Sequence, residues 1–134
     1  MILNAGRRAQ SSKNTQPWRF IAIHDRETLR QFSQCGMYAG HLAEAPFAIA
    51  LIASTTEGFD LGQAAAYMQL ATWELGSGSC IASMWEPEKA RAILGVPQDL
   101  HFDVAISFGY PLHGDERPSA PNPGGRKPFN EVVF

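Results

Sequence analysis

Residues 47–53 read Phe-Ala-Ile-Ala-Leu-Ile-Ala, an unbroken apolar run bounded by Pro46 and Ser54. Its length suits a strand and is far too short to cross a bilayer. A strand sends alternate side chains to opposite faces, so a run without polar members predicts a strand buried on both sides. Such a strand needs a layer of chain above it and another below.

The flanking sequence supplies those layers. Arg19 to His24 (RFIAIH) alternates and reads as a strand. Asp25 can cap a helix whose apolar positions are Leu29 and Phe32. Gly36 interrupts that helix, and a second short piece, Tyr38 to Glu44, leads to Pro46. The strongest helical pattern is FDLGQAAAYMQLATWELG, with Asp60 expected at its cap, Leu61, Ala65, Met68, Thr72 and Leu75 on one face, and Gly76 closing it. Ser79 to Ala82 reads as a short strand. A helix follows, with Pro87 at its first position and Gly95 just past its end. His101 to Phe108 (HFDVAISF) is a further buried strand. Residues 2–9 read as a brief helix.

Strands separated by helices predict a layered α/β sandwich in one domain spanning residues 1–134. With 134 residues and 45% hydrophobic content, the chain can bury one core. A formal net charge of −2 and the lack of a basic stripe argue against a protein that tracks nucleic-acid phosphates. The start, MILNAGRR, lacks the apolar core and cleavage site of a secretory signal, and Cys35 and Cys80 stand without C-x-x-C spacing. A cytoplasmic protein with free thiols and no membrane association is the expectation.

Gly-Ser-Gly at 76–78 follows a helix and precedes a strand, the reverse of the dinucleotide-binding order, and position 81 is Ile where that fingerprint needs Gly. A helix C-cap and tight turn explain it better. His41 and Glu44 share a helix face without a third metal ligand, and there is no Gly-x-Ser-x-Gly elbow. Two stretches are less easily assigned to structure alone. Gly124-Gly125-Arg126-Lys127 could cradle an anion or simply be a solvated basic pair. Ser11, Ser12 and Asn14 crowd a loop that ends in the stiff pair Pro17-Trp18; they could hold a ligand or cap their own turn. The Pro/Gly-rich tail beginning at residue 112 ends in the apolar tip NEVVF, which makes sense if Val132 to Phe134 dock at a distance, as on a partner subunit.

The stretch Ala9-Gln-Ser-Ser-Lys-Asn-Thr-Gln-Pro-Trp18 resembles the A-P-S-x-x-N-x-Q-P-W signature of the FMN-dependent nitroreductase family. Further elements follow in that family's order: Glu44-Ala-Pro46 before a buried strand, Asp60-x-Gly62-x-Ala opening the long helix, and Glu74-Leu-Gly-x-Gly78 ending it. Leu94-Gly-Val-Pro97, Phe108-Gly-Tyr-Pro111 and Gly125-Arg-Lys-Pro128 complete the series. The resemblance covers essentially the whole chain.

It implies an α+β fold, a three-layer α/β/α sandwich with a mixed central sheet, and a C-terminal arm (residues 112–134) exchanged between the subunits of a homodimer. It implies FMN at the subunit interface, with Ser11, Ser12 and Asn14 reaching the cofactor and Arg126 taking its phosphate. Ala82 and Ser83 would pass beside the isoalloxazine ring and offer backbone N–H groups, and His41 would lie near the pyrimidine edge. NAD(P)H would donate hydride to FMN, and a nitroaromatic, quinone or similar small-molecule acceptor would receive it, with no catalytic protein nucleophile. Two departures stand out. Gln10 replaces the family's Pro, and the sequence starts after the position of the family's N-terminal Arg-Arg-Ser-x-Arg helix, which Arg7-Arg8 do not reproduce. A dimeric flavin-binding or interaction domain without efficient catalysis is the rival expectation.

Overall fold

The computed structural model describes residues 1–54, 58–112 and 126–133. Four strands form one sheet: β1 (Trp18–Ile23), β2 (Phe47–Ala53), β3 (Gly78–Ser83) and β4 (His101–Gly109), in the order β1-β2-β4-β3. All of the described pairings are antiparallel. The expected sheet was mixed; among the described residues no parallel pairing occurs.

The apolar run at 47–53 is β2, and it lies in the middle of the sheet with Ala48 to Ala53 all buried. Its alternate residues serve two cores. Ala48, Ala50 and Ile52 pack with helices α2 (Arg26–Ser33), α3 (His41–Glu44) and α5 (Pro87–Leu94) through Leu29, Phe32, Leu42 and Ala90. Ile49, Leu51 and Ala53 pack on the other face with α4 (Gly58–Glu74), through Leu61, Ala64, Ala65 and Met68. Helix α1 (Ile2–Arg7) lies on α4, and Ile2 joins that second core. The three-layer α/β/α sandwich is therefore as expected.

Local chemistry sets the element ends. Asp25 caps α2 by accepting the Thr28 amide at 2.8 Å and the Thr28 hydroxyl at 2.7 Å, which holds its carboxyl below the usual carboxylate range. Helix α5 ends at Gly95 in the left-handed region (φ 65°), where the Val96 amide reaches back to the Arg91 carbonyl at 3.0 Å. Gly76 closes α4 with φ 71°, so the 76–78 stretch is a cap and turn. Two expectations shift. Only His41–Glu44 of the 38–44 piece is helical, and α4 starts at Gly58, so Asp60 lies inside its first turn and not at its cap. The NEVVF tip contributes to a short helix, α6 (Phe129–Val132), whose residues are exposed. The stretch joining it to Leu112 lies outside the described residues, and the arm exchange with it.

Candidate functional site

The loop at 11–16 is built of turns that its own residues make. Ser12–Asn14 is a 3-10 turn, with the Asn14 amide on the Ser11 carbonyl and the Thr15 amide on the Ser12 carbonyl, both at 3.0 Å. Lys13, Asn14 and Gln16 all have positive φ (50°, 56° and 49°). A left-handed conformation costs a non-glycine residue about 1–2 kcal/mol, so this backbone is held by something. Ser11 does part of the holding, because its Oγ accepts the Gln16 amide at 3.0 Å. The self-capping alternative thus applies to Ser11. The Ser12 hydroxyl and the Asn14 side-chain amide make no hydrogen bond among the described residues, and both residues are exposed.

Ala82 and Ser83 lie at the end of β3, the edge strand opposite β1. Ala82 is buried beneath the α2/α5 layer, while Ser83 is exposed. Register puts Trp18, Ala53, His101 and Ser83 toward one end of the sheet. The 11–16 loop, which enters β1 at Trp18, therefore shares an end with Ser83 but sits across three strand spacings, about 14 Å. No hydrogen bond joins the loop to β3 among the described residues. One chain brings these two predicted parts to the same end of the sheet and to opposite edges of it.

His41 is seated against the other part of β3. Its Nδ1 lies 2.7 Å from Ser107 Oγ, and the same hydroxyl reaches the Cys80 carbonyl at 3.4 Å. A carbonyl can only accept. With the Ser107 proton turned to Cys80, the short contact is filled by His41 Nδ1–H, and Nε2 is left as an acceptor. That Nε2 is buried and has no hydrogen-bond partner among the described residues. Burial holds the imidazole pKa below its ordinary value, opposed by the Ile81 carbonyl nearby. Around this pair opens a cleft of about 700 Å³, walled by Pro46, Trp73, Phe108 and Tyr110 and bearing Glu44 on its polar side. Among the described residues that line it there is no lysine or arginine, so none of them offers an anionic phosphate a cationic partner. Arg126, exposed at the start of the last described segment, is separate from that lining.

Sequence reasoning missed the parts that three residues play. Ser107 was signalled only as a lone hydroxyl in the apolar strand HFDVAISF, and it is almost wholly buried. Asp60 accepts the Ser12 amide at 2.9 Å, a contact between residues far apart in sequence. Gly36 lies so close to β3 that a Cβ there would overlap the Ser83 carbonyl, and the neighbouring Cys35 carbonyl takes the Trp85 and Glu86 amides at 2.8 and 2.9 Å. The exit of β3 is thus clamped from the α2 side.

An antiparallel sheet between two helical layers, with polar groups that lack partners among the described residues near both of its edges, defines an α+β fold with two places where a ligand could be held. Residues 34–110 match the family model described as "Nitroreductase family", and the chain belongs to that oxidoreductase family. The chain is 34% identical to an FMN-dependent nitroreductase from Clostridium difficile R20291, whose structure superposes with a TM-score of 0.79 over 92% of this chain and 78% of that one. It is 26% identical to the NADH dehydrogenase of Thermus thermophilus, over 99% of this chain and 82% of the relative. The NADPH:FMN oxidoreductase of Vibrio harveyi shares the fold, with a TM-score of 0.82 at 19% identity over 99% of this chain and 64% of that one.

Proposed function

We propose that this chain is one subunit of a homodimeric, FMN-dependent oxidoreductase that takes hydride from NAD(P)H and reduces nitroaromatic, quinone or similar acceptors. Bound FMN would supply the two-electron redox chemistry, accepting and passing on hydride. The chain's part is to bind, orient and polarise. What carries the reading is one observation: a chain akin to an FMN-dependent nitroreductase over 92% of its length keeps unspent polar groups at both edges of its sheet.

The residues present fit the cofactor's chemistry. His41 Nε2, buried and without a donor, suits the N–H of a pyrimidine ring. The outer side of β3 is unpaired in the described sheet, so its backbone can hydrogen-bond a planar ring laid beside Ala82 and Ser83. Ser12 and Asn14 offer short donors and acceptors for a hydroxylated chain. Arg126 offers a planar cation for a phosphate.

The separation of the loop from β3 favours two chains per site, one giving its loop and the other its edge strand. The outer face of α4 supports such pairing, because Phe59, Leu70 and Trp73 are 80%, 67% and 51% exposed at helical spacing. Purified protein should be yellow, with flavin absorbance bands, and should oxidise NADH or NADPH faster when a quinone is added. A colourless protein that does not take up added FMN would overturn this reading.

A further inference from the structure

We propose that Asp60 is a positioning residue for the cofactor loop, holding Ser12 and Asn14 in the backbone conformation that presents them; this rests on the FMN reading above. Its carboxylate, in the first turn of α4, accepts the Ser12 backbone N–H at 2.9 Å.

The other bonds of the loop are internal or lie at its exit. Ser11 supplies its carbonyl and its hydroxyl, Ser12 its carbonyl, and the Ser54 amide meets the Pro17 carbonyl at 3.0 Å, just before β1. Among the described hydrogen bonds, only Asp60 ties residues 12–16 to a helix of the core. The loop meanwhile carries Lys13, Asn14 and Gln16 in the left-handed region. Internal bonds can stabilise that shape but cannot fix where it points. A charged acceptor on a rigid, well-packed helix can do both: the bond to an ionised oxygen is stronger than a neutral one, and the first turn of a helix favours a negative charge.

The contact uses the backbone of Ser12, so the Ser12 hydroxyl stays available to a ligand. Asp60 also stands two residues before Gly62 on α4, the helix whose buried face includes Leu61 and Ala65, so its own position is set by the core. A change at Asp60 therefore acts on the loop and not on the chemistry.

The test compares Asp60→Asn with Asp60→Ala in the full-length protein. The Asn side-chain oxygen can still accept an amide proton, whereas Ala cannot. Amide exchange at Ser12, read by NMR without any cofactor, should be slow in the wild type and in Asp60→Asn and fast in Asp60→Ala. FMN titrated into the apoprotein should bind Asp60→Ala about five- to tenfold more weakly, the scale of one exposed charge-assisted bond, and Asp60→Asn more weakly by a smaller factor, because a neutral oxygen still accepts but less strongly. If FMN binds wild type and Asp60→Ala alike, or if Asp60→Asn loses as much as Asp60→Ala, the positioning role is overturned. If the wild type fails to bind FMN, the flavin reading fails first and the loop's cofactor role with it. The Ser12 exchange then still shows whether the tether exists.

Discussion

Ser107 Oγ joins α3 to β3: it lies 2.7 Å from His41 Nδ1 and 3.4 Å from the Cys80 carbonyl, from a side chain that is itself almost wholly buried in β4. The imidazole it seats has a pKa below its ordinary value because burial disfavours the charged form. As pH falls, the unfolded chain therefore takes up a proton at this residue before the folded one does. Stability from this source is complete above about pH 6.5 and declines as pH falls through that value toward the folded pKa. Thermal melts between about pH 5 and 8 should show this slope in the wild type and a shallower one in His41→Gln. Ser107→Ala should cost about 1 kcal/mol at neutral pH by stranding Nδ1–H. Parallel melting curves for wild type and His41→Gln would show that His41 is not the titrating group.

Gly36→Ala should be among the more damaging single-methyl changes. The added carbon would meet the Ser83 carbonyl, which is backbone and cannot swing aside, and the Ala39 side chain. We expect a loss of about 2 kcal/mol or more, seen as a lower urea midpoint. Gly40→Ala, where the added carbon meets nothing within 4 Å, is the control and should change little.

Leu70 is 67% exposed on α4, so Leu70→Glu should not unfold an isolated subunit. In a dimer that covers this face, the same change buries a charge. Sedimentation velocity should then report a shift from dimer to monomer with the circular dichroism unchanged. An unaltered sedimentation coefficient would place the subunit contact elsewhere.

Arg126→Ala should weaken FMN by about ten- to hundredfold, the scale of one or two charge-assisted phosphate bonds, while barely changing riboflavin, which has no phosphate. Equal FMN affinity in the mutant would move the anion to Arg7, Arg8 or Lys13.

The layers of this fold were readable because burial leaves a periodic trace. Phe47 to Ala53 read as a strand covered on both faces, and Leu29 and Phe32 of α2 are fully buried as the Asp25-capped pattern predicts. The family was readable from short motifs whose order the structure does not alter. The site's supports were not. Asp60 looks like a helix cap in sequence because acids commonly stand there, and nothing local reveals that its partner is the Ser12 amide. Positive φ at Lys13 and Gln16 has no local residue signature, since neither is glycine and tertiary contacts impose it. His41 reads as a surface residue beside Glu44 until β4 delivers Ser107 beneath it.

The order of strands in the sheet bears on how the chain reaches its native state. The central pair joins Ala53 to His101, so closing it brings together residues 101 − 53 = 48 positions apart, with α4, β3 and α5 strung between them. Closure entropy grows with the logarithm of that span, and it must be met before the pairing yields any contacts. The hairpin-like unit from α4 through Gly76 into β3 is local and needs no such closure. We therefore expect the pairing at the middle of this sheet to form in the rate-limiting step of assembly. Refolding should be limited by the docking of β4 between β2 and β3, so core substitutions at Ala105 or Ile106 should slow folding.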